Sequence, residues 1–193
     1  MTPIDKTFWE DKHSDDDQWW LTGTKFDSLL RFHSLSEEDI KKKKILEIGV
    51  GLGTCTQALY ESASELFCTD ISEVALERVK SFSTAQYHTS NIKNIAPVDI
   101  AICHLVFQHC TDSEVERIIN NVNLSETGVF SFQFAAIKDN IIHANIQKLI
   151  DEGCLFFRSV ESIKQIVEKQ TKKFIIFLSQ SGGAERITTN GIL

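Results

Sequence analysis

Three glycines at alternate positions mark the first stretch of this chain whose residue types and spacing could do chemistry. They are Gly49, Gly51 and Gly53. Glycine lets the backbone turn sharply and approach a ligand that a Cβ atom would push away. An apolar run ends in Glu47 just before them, and Thr54 opens a helix-like segment, whose N-terminus offers backbone N–H groups. The stretch from 45 to 54 therefore predicts a strand, a turn and a helix that hold a nucleotide.

A carboxylate follows at the end of the next predicted strand. Asp70 closes the apolar segment 65–70. A helix and a returning strand would bring Asp70 beside the end of the first strand, where a carboxylate can accept both hydroxyls of a ribose. Ile71 comes next, and Ser72 is predicted to cap the following helix. The alternative is that Asp70 is only a helix-start residue.

The spacing of the glycines discriminates between nucleotides. A dinucleotide-binding fingerprint needs its third glycine at position 54, and a P-loop needs Gly-Lys-Ser/Thr; neither is present. Glu47-x-Gly49-x-Gly51-x-Gly53 instead resembles the first motif of class I S-adenosylmethionine (SAM)-dependent methyltransferases. SAM has no phosphate, and a carboxylate near the loop suits its cationic amino group. The alternative is a tight strand-to-helix turn in another α/β protein, such as a nucleotide-dependent oxidoreductase.

The resemblance implies SAM as the cofactor, S-adenosylhomocysteine (SAH) as the product, and cofactor contacts from four parts of the chain. These are the glycine loop, the end of the second strand, the turn after the third and the end of the fourth. The residues so placed are Glu47, Gly49, Val50, Gly51, Gly53, Asp70, Ile71, Asn91, Ile92, His104 and Leu105. The family's usual acidic residue is missing from the third turn, so Asn91 would bond to the adenine and Ile92 would cover its face.

The resemblance also implies methyl transfer by in-line displacement at the sulfonium, a reaction that depends mainly on positioning. A general base is needed only if the acceptor arrives protonated. His109, shortly after the fourth strand, is the candidate, because imidazole titrates near neutral pH. The alternative is that His109 lines the pocket without moving a proton. His104 is expected to be a wall of the SAM site, and His13, His33 and His143 are weaker candidates for a base.

The predicted acceptor pocket lies between an N-terminal segment and the segments after strands four and five. Its expected wall consists of Trp9, Trp19, Trp20, Phe107, Gln108 and Phe134. The alternative for the tryptophans is that they pack this segment on the sheet. The aromatic wall suits a small, partly apolar or sugar-like molecule, methylated on a hydroxyl. Two other functions stay open: a SAM- or SAH-binding protein without transfer activity, and a small-molecule N-methyltransferase.

Composition excludes several other classes of function. The formal net charge of the 193 residues is −7, which disfavours general nucleic-acid binding. The five cysteines include no Cys-x-x-Cys pair, and no carboxylate cluster follows strands four and five, so no metal is expected. Neither a signal-peptide pattern nor an apolar run of roughly 20 residues, enough to span a bilayer, is present. We expect a cytoplasmic monomer or homodimer that acts on a small molecule, not on nucleic acid or a membrane.

The elements that must position these residues follow from the apolar pattern. Strands are predicted at 43–50, 65–70, 99–104, 129–135, 172–180 and 185–193, with a short third strand and a turn over 85–92, and helices at 54–63, 72–82, 112–122, 138–152 and 160–170. The length fits a single domain, 1–193. The resemblance implies an α/β fold with a helical N-terminal cap (1–40) and a Rossmann-like core (41–193). Its seven-stranded mixed sheet would have the order 3-2-1-4-5-7-6, with strand 7 antiparallel and helices on both faces.

Overall fold

The computed structural model describes residues 6–14, 33, 35–89, 91–135, 151, 155–156, 158–169, 174–180 and 183–189. The helices in these residues are α1 (Lys6–Ser14), α2 (Glu37–Ile40), α3 (Thr54–Tyr60), α4 (Glu73–Lys80), α5 (Asp112–Asn121) and α6 (Val160–Glu168). The strands are β1 (Lys44–Ile48), β2 (Glu65–Asp70), β3 (Gln86–Thr89), β4 (Val98–Cys103), β5 (Leu124–Ala135), β6 (Phe174–Gln180) and β7 (Gly183–Thr189). Single 3₁₀ turns, Ile92–Asn94 and Phe107–His109, follow β3 and β4.

The strands form one sheet in the order β3-β2-β1-β4-β5-β6-β7. All neighbouring pairs from β3 to β6 are parallel, and β7 is antiparallel to β6. Ile48 at the end of β1 pairs with Thr69 on one side and with Cys103 on the other. The carboxyl ends of β1, β2 and β4 therefore meet at one edge of the sheet. This arrangement confirms the α/β class and the parallel order 3-2-1-4-5.

The predicted order of the last two strands, 5-7-6, is wrong. β6 pairs directly with β5, with Phe130 opposite Phe174, and β7 lies outside β6 at the edge of the sheet. The sequence could not decide this, because a tight turn keeps strands six and seven adjacent in either order. What decides it is the crossover containing α6, which brings the chain back parallel and directly beside β5.

The strands carry nearly continuous apolar runs because helices cover both faces of the parallel sheet. One face packs against α3 and α4, with a core of buried residues that includes Ile45, Cys68, Ile100 and Ile102. The other face packs against α5 and α6, with a core of buried residues that includes Leu46, Phe67, Ala101, Cys103, Phe130 and Phe132. Successive residues alternate between the two cores, as the two-residue period of a strand requires.

Side-chain caps set several element boundaries. The hydroxyl of Ser72 accepts the N–H of Ala75 at 3.2 Å at the start of α4, which confirms the predicted cap. Thr111 and Glu114 form a capping box at the start of α5. β3 ends at Thr89 and Asn91 opens a 3₁₀ turn, as expected for a short strand followed by a turn. The helix predicted over 138–152 lies outside the described residues except for residue 151.

Candidate active site

The three glycines of the loop after β1 all adopt positive φ angles, of +78°, +51° and +85° for Gly49, Gly51 and Gly53. A Cβ atom on Gly49 would lie 2.2 Å from the side chain of Val106, and one on Gly53 would lie 2.7 Å from Phe82. These two glycines therefore allow close packing of the protein on itself. Among the residues that the structure describes, the nearest atom to a Cβ on Gly51 is Nε2 of His13, at 4.0 Å, so Gly51 has no close neighbour there of the kind that the other two glycines have.

Asp70 lies beside this loop, as the sequence predicted. Its Oδ2 accepts the N–H of Gly51 at 3.1 Å, and its Oδ1 accepts the N–H of Ser72 at 2.8 Å. Burial raises the pKa of Asp70, and these two backbone donors oppose the effect. The carboxylate is thus fixed between the turn after β1 and the start of α4, at the edge where β1 and β2 end.

The residues expected to surround the adenine have different environments. The side chain of Ile71 is 41% exposed directly after Asp70, which is unusual for a large apolar residue. Asn91 is exposed, and its Oδ1 accepts the N–H of Lys93 at 3.3 Å. Ile92, by contrast, packs in the core under α5 and is only 4% exposed. The structure therefore leaves Ile71 and Asn91 accessible to a ligand and offers almost no surface of Ile92.

Glu47 lies beneath the loop rather than in it, which corrects the expectation of a charged group for the SAM amino group. Its side chain is 2% exposed, and its Oε2 accepts the hydroxyl hydrogen of Thr56 in α3 at 2.7 Å. Burial raises the pKa of Glu47 to about 8, so the group is largely uncharged at neutral pH. In this position Glu47 ties β1 to α3.

Helix α1 is docked across the site by Glu10, a contact that the sequence did not reveal. Its Oε1 accepts the N–H of Glu73 at 2.9 Å, and its Oε2 accepts the N–H of Val74 and the hydroxyl of Ser72, both at 3.1 Å. A carboxylate here satisfies the N–H groups and the dipole at the start of α4. In the sequence, Glu10 is just an acidic residue in the predicted N-terminal segment 1–40, and nothing there indicates its partner.

Two aromatic side chains of α1 extend over the glycine loop. The rings of Trp9 and His13 stack with centroids 5.7 Å apart, and Trp9 meets His109 edge-on at 4.9 Å. His13 is buried, and its Nδ1 has no hydrogen-bond partner among the described residues. Burial lowers the pKa of His13, whereas the Asp70 carboxylate opposes this. Trp9 therefore packs between His13, which approaches Gly51, and His109 in the turn after β4.

The segment after β4 supplies the opposite wall. Leu105 has φ of +59°, a left-handed conformation that is uncommon for a residue with a side chain. His104 is half-buried, and its Nδ1 lies 3.1 Å from Nε2 of His33. Nε2 of His109 lies 3.2 Å from the side-chain nitrogen of Gln108, which can donate to it. His33, His104, His109 and Gln108 thus lie near the carboxyl edge of the sheet.

Comparison with known proteins identifies this arrangement. Residues 46–125 match a family described as a methyltransferase domain, and that range includes the glycine loop, Asp70 and the segment after β4. The matched residues form a methyltransferase domain, and the fold of the chain is that of the class I, Rossmann-like SAM-dependent methyltransferases. No curated protein sequence matches it at a significant level.

Two solved structures with bound SAM have the same overall fold as this chain. Magnesium protoporphyrin IX methyltransferase (ChlM) from Synechocystis PCC 6803 with bound SAM has a TM-score of 0.62 and 15% identity, over 95% of this chain and 94% of that one. The DhpI-SAM-HEP complex has a TM-score of 0.62 and 14% identity, over 88% of each chain. The match to the N-methyltransferase NodS from Bradyrhizobium japonicum, in complex with SAH, has 21% identity and a TM-score of 0.48. It spans 60% of this chain and 64% of NodS.

Not every residue predicted for the acceptor pocket is available to a ligand. Phe107 is wholly buried between Phe130 and Phe132, which corrects its expected role as a wall. Phe107 is the first residue of the 3₁₀ turn that ends at His109, and its side chain points into the core. Trp19 and Trp20 lie outside the described residues, and so does the side chain of Phe134 in β5.

Arg158 is a structural residue rather than an anchor for an anionic substrate. Its guanidinium is buried and donates to Asp112 at 2.7 Å and to the backbone carbonyls of Phe107 and Cys110. It therefore holds the turn after β4 that carries His109. Among the residues that the structure describes, no group of three His, Cys, Asp or Glu side chains could hold a metal ion, and no helix is long and apolar enough to cross a membrane.

Proposed function

We propose that this chain, as a single domain over residues 1–193, transfers the methyl group of SAM to a hydroxyl of a small molecule. The observation that carries the proposal is the seat formed by Asp70, Gly51 and Ile71. A fixed carboxylate, a glycine that no described residue crowds and an exposed apolar side chain lie together at the edge where β1 and β2 end. The family match covers this seat.

The residues of the seat fit SAM one by one. Each oxygen of Asp70 has two acceptor sites, so its backbone hydrogen bonds leave room for the two hydroxyls of a ribose. Gly51 allows a ligand to approach the backbone where any side chain would intrude. Ile71 offers an apolar surface for the adenine, and Asn91 offers an amide at the neighbouring strand end.

Bound SAM supplies an electrophilic methyl group on a sulfonium. The chain's own residues would position the acceptor behind that methyl group and keep water away from it. Trp9 and His13 in α1 and His109 after β4 form the aromatic cover on that side. A histidine at this edge can take the proton that a hydroxyl acceptor must lose. We retain His109 as a candidate for this base beside His104.

A small acceptor is favoured by the cover and by the charge of the chain. Helix α1 lies close to the glycine loop, with His13 near Gly51, which leaves room for a small molecule. The net charge of −7 opposes binding of a polyanion. The neighbours DhpI and ChlM were solved with SAM, and ChlM is named for a small-molecule substrate. These neighbours support the class of reaction and leave the acceptor to experiment.

Two measurements test the proposal in order. Calorimetric titration with SAM, SAH and NADH should give binding of the first two only. Release of SAH should then be measured against a panel of small hydroxyl compounds, with small amines as a separate arm. Binding of NADH instead of SAM would refute the cofactor assignment. Tight SAM binding without SAH release from any member of the panel would favour a SAM-binding protein without transfer activity.

Removal of the Asp70 carboxylate tests the seat itself. We expect Asp70→Ala to weaken SAM binding at least about a hundredfold, because two hydrogen bonds to a charged acceptor contribute about 1.5–3 kcal/mol each. Glu61→Ala removes an exposed carboxylate at the end of α3 and is the matched control. Equal affinities of the two variants for SAM would show that the ribose is held elsewhere.

A further inference from the structure

Three aromatic rings, those of His13, Trp9 and His109, form a row at the carboxyl edge of the sheet, which we call the aromatic row. The rings of His13 and Trp9 stack with centroids 5.7 Å apart and an angle of 26° between their planes. On its other side, Trp9 meets the ring of His109 at 4.9 Å and 77°. Trp9 is the middle member of the row and is half-buried, so part of its ring surface can be reached by a ligand.

The two ends of the aromatic row approach the ends of different strands. Nε2 of His13 lies 4.0 Å from the position that a Cβ atom on Gly51 would take, in the loop after β1. His109 ends the 3₁₀ turn after β4. Because β1 and β4 are paired neighbours in the sheet, the row runs from the loop after β1 to the turn after β4, with Trp9 between them.

Polar contacts on another part of α1 fix the position of Trp9. Trp9 and His13 are four residues apart, so they share one side of the helix. Glu10 accepts two backbone N–H groups at the start of α4, and Arg78 of α4 donates to the backbone carbonyl of His13 at 3.0 Å. The indole is therefore held in place by the docking of α1 on α4 and does not depend on a ligand for its position.

The positive charge of SAM would lie close to this row. In SAM the sulfonium is joined to the ribose ring by a single carbon atom, so the charge stays near the place where the ribose is held. Asp70 is the proposed acceptor for the ribose hydroxyls, and its Oδ2 accepts the N–H of Gly51 at 3.1 Å. Gly51 is also the residue that His13 approaches. The seat for the ribose and the end of the aromatic row therefore meet at one residue.

An aromatic ring distinguishes a sulfonium from a neutral sulfur. The face of the ring carries a negative electrostatic potential that attracts a cation, and the indole of tryptophan does so most strongly. SAH has the same adenine and ribose as SAM, but its sulfur is uncharged and does not receive this attraction. Burial lowers the pKa of His13 from its ordinary value of 6.5, so at pH 7.5 this ring places no positive charge beside Trp9.

We propose that Trp9 recognises the sulfonium of SAM through its indole ring, so that the chain binds SAM in preference to SAH. The inference rests on the proposed binding of SAM at Asp70. When the methyl group moves to the acceptor, the electron pair of its bond to sulfur stays on the sulfur, which becomes neutral. The attraction to Trp9 then ends, and its loss favours release of SAH.

The ratio of the dissociation constants of SAH and SAM isolates this contribution of Trp9. If Trp9 only held α1 in place or offered an apolar surface, its replacement would change both constants by the same factor. A cation–π contact acts on SAM alone and changes its affinity by about twofold to thirtyfold. The Asp70 carboxylate also attracts the cation, so part of the preference for SAM should remain without Trp9.

Calorimetric titration with SAM and with SAH at pH 7.5 measures the ratio in each variant. We expect Trp9→Leu, which keeps a large apolar side chain, to lower the ratio about twofold to thirtyfold. Trp9→Phe should lower it less, because a phenyl ring attracts a cation more weakly than an indole does. Asp11→Asn changes an exposed residue of the same helix and should leave the ratio as in the wild type. Equal losses of affinity for SAM and SAH in Trp9→Leu, or no loss of either, would overturn the proposal.

A third ligand separates charge from shape. An analogue of SAM that carries an ammonium group in place of the methylated sulfonium should lose affinity in Trp9→Leu as SAM does. A response like that of SAH would show that Trp9 does not recognise charge. If Trp9→Leu does not fold, the ratio in Trp9→Phe decides, and a wild-type value there would overturn the proposal. Failure of the wild type to bind SAM and SAH would refute the proposed function and this inference together, whereas a ratio independent of Trp9 refutes the inference alone.

Discussion

Replacement of Glu47 by glutamine should remove a specific pH dependence of stability. Glu47 is fully enclosed beneath the glycine loop, and burial raises its pKa from an ordinary value of 4.5 to about 8. Between these values the folded chain keeps the proton and the unfolded chain releases it. The folded state then binds more protons, so the free energy of unfolding falls as the pH rises through this window.

The magnitude follows from the width of the window. A pKa difference of one unit corresponds to about 1.4 kcal/mol, so Glu47 alone could cost up to about 5 kcal/mol between pH 4.5 and 8. In Glu47→Gln the amide oxygen can still accept from Thr56, and the side chain cannot ionise. The new NH₂ group brings a desolvation cost of about 1–3 kcal/mol that does not depend on pH. The variant should therefore be no more stable than the wild type at pH 5 and more stable at pH 8.5.

Urea unfolding of both proteins at pH 5, 6, 7, 8 and 8.5 measures this effect. The difference between the two unfolding free energies should change by several kcal/mol over the range. Other titrating groups cancel in the difference, and burial raises the pKa of the neighbouring thiols of Cys55 and Cys68 well above the range. For Glu61→Gln, at an exposed position, the unfolding free energy should change with pH as it does in the wild type. Parallel curves for Glu47→Gln would refute the view that this carboxyl group is neutral in the folded chain.

Three further outcomes follow from the site. Gly51→Ala should weaken SAM binding at least tenfold with a loss of about 1–2 kcal/mol of stability, because its Cβ enters the seat at φ of +51°. Gly49→Ala should lower the melting temperature further than Gly51→Ala, because its Cβ meets Val106 at 2.2 Å; the reverse order in thermal unfolding would contradict these assignments. Glu10→Gln should speed amide hydrogen exchange over α1, since it loses the charge that caps α4, whereas exposed Asp11→Asn should not. The pKa of Glu10 is lowered by these backbone hydrogen bonds, so acidification below its ordinary value of 4.5 should loosen wild-type α1 in the same assay.

Much of the fold could be predicted because its signals are local. The segment 65–70 is a buried strand bounded by polar residues, and it matches β2 at both ends. The capped start of α5 depends on residues within one turn of each other. The partner of β5 could not be predicted, because apolar strands of similar composition satisfy the sheet equally well in either order.

The residues of the site also differ in how far the sequence could predict their positions. Gly51 and Asp70 could be assigned because each lies at a strand end, and strand ends of a parallel sheet meet at one edge. Glu47 lies on the same strand, and its spacing looks like that of a ligand contact, yet the side chain turns under the loop toward Thr56. Spacing fixes where a backbone goes, whereas the direction of a side chain near a turn depends on which helix packs beside it.

The distribution of buried polar side chains explains why the active site must lie on one side of the sheet edge. Most of the described side chains buried under α5 and α6 are apolar, and Thr69 and Arg158 are buried polar exceptions on that side. Glu47, Ser131 and His33 interrupt the opposite face, although burying such groups costs free energy unless they are paired. A fold loses nothing by replacing paired polar groups with apolar ones of the same shape, so stability alone does not account for them. Glu47 ties β1 to α3 beneath the glycine loop, and Ser131 bonds to His33, which contacts His104, so both contacts support the edge where the methyl group would be transferred.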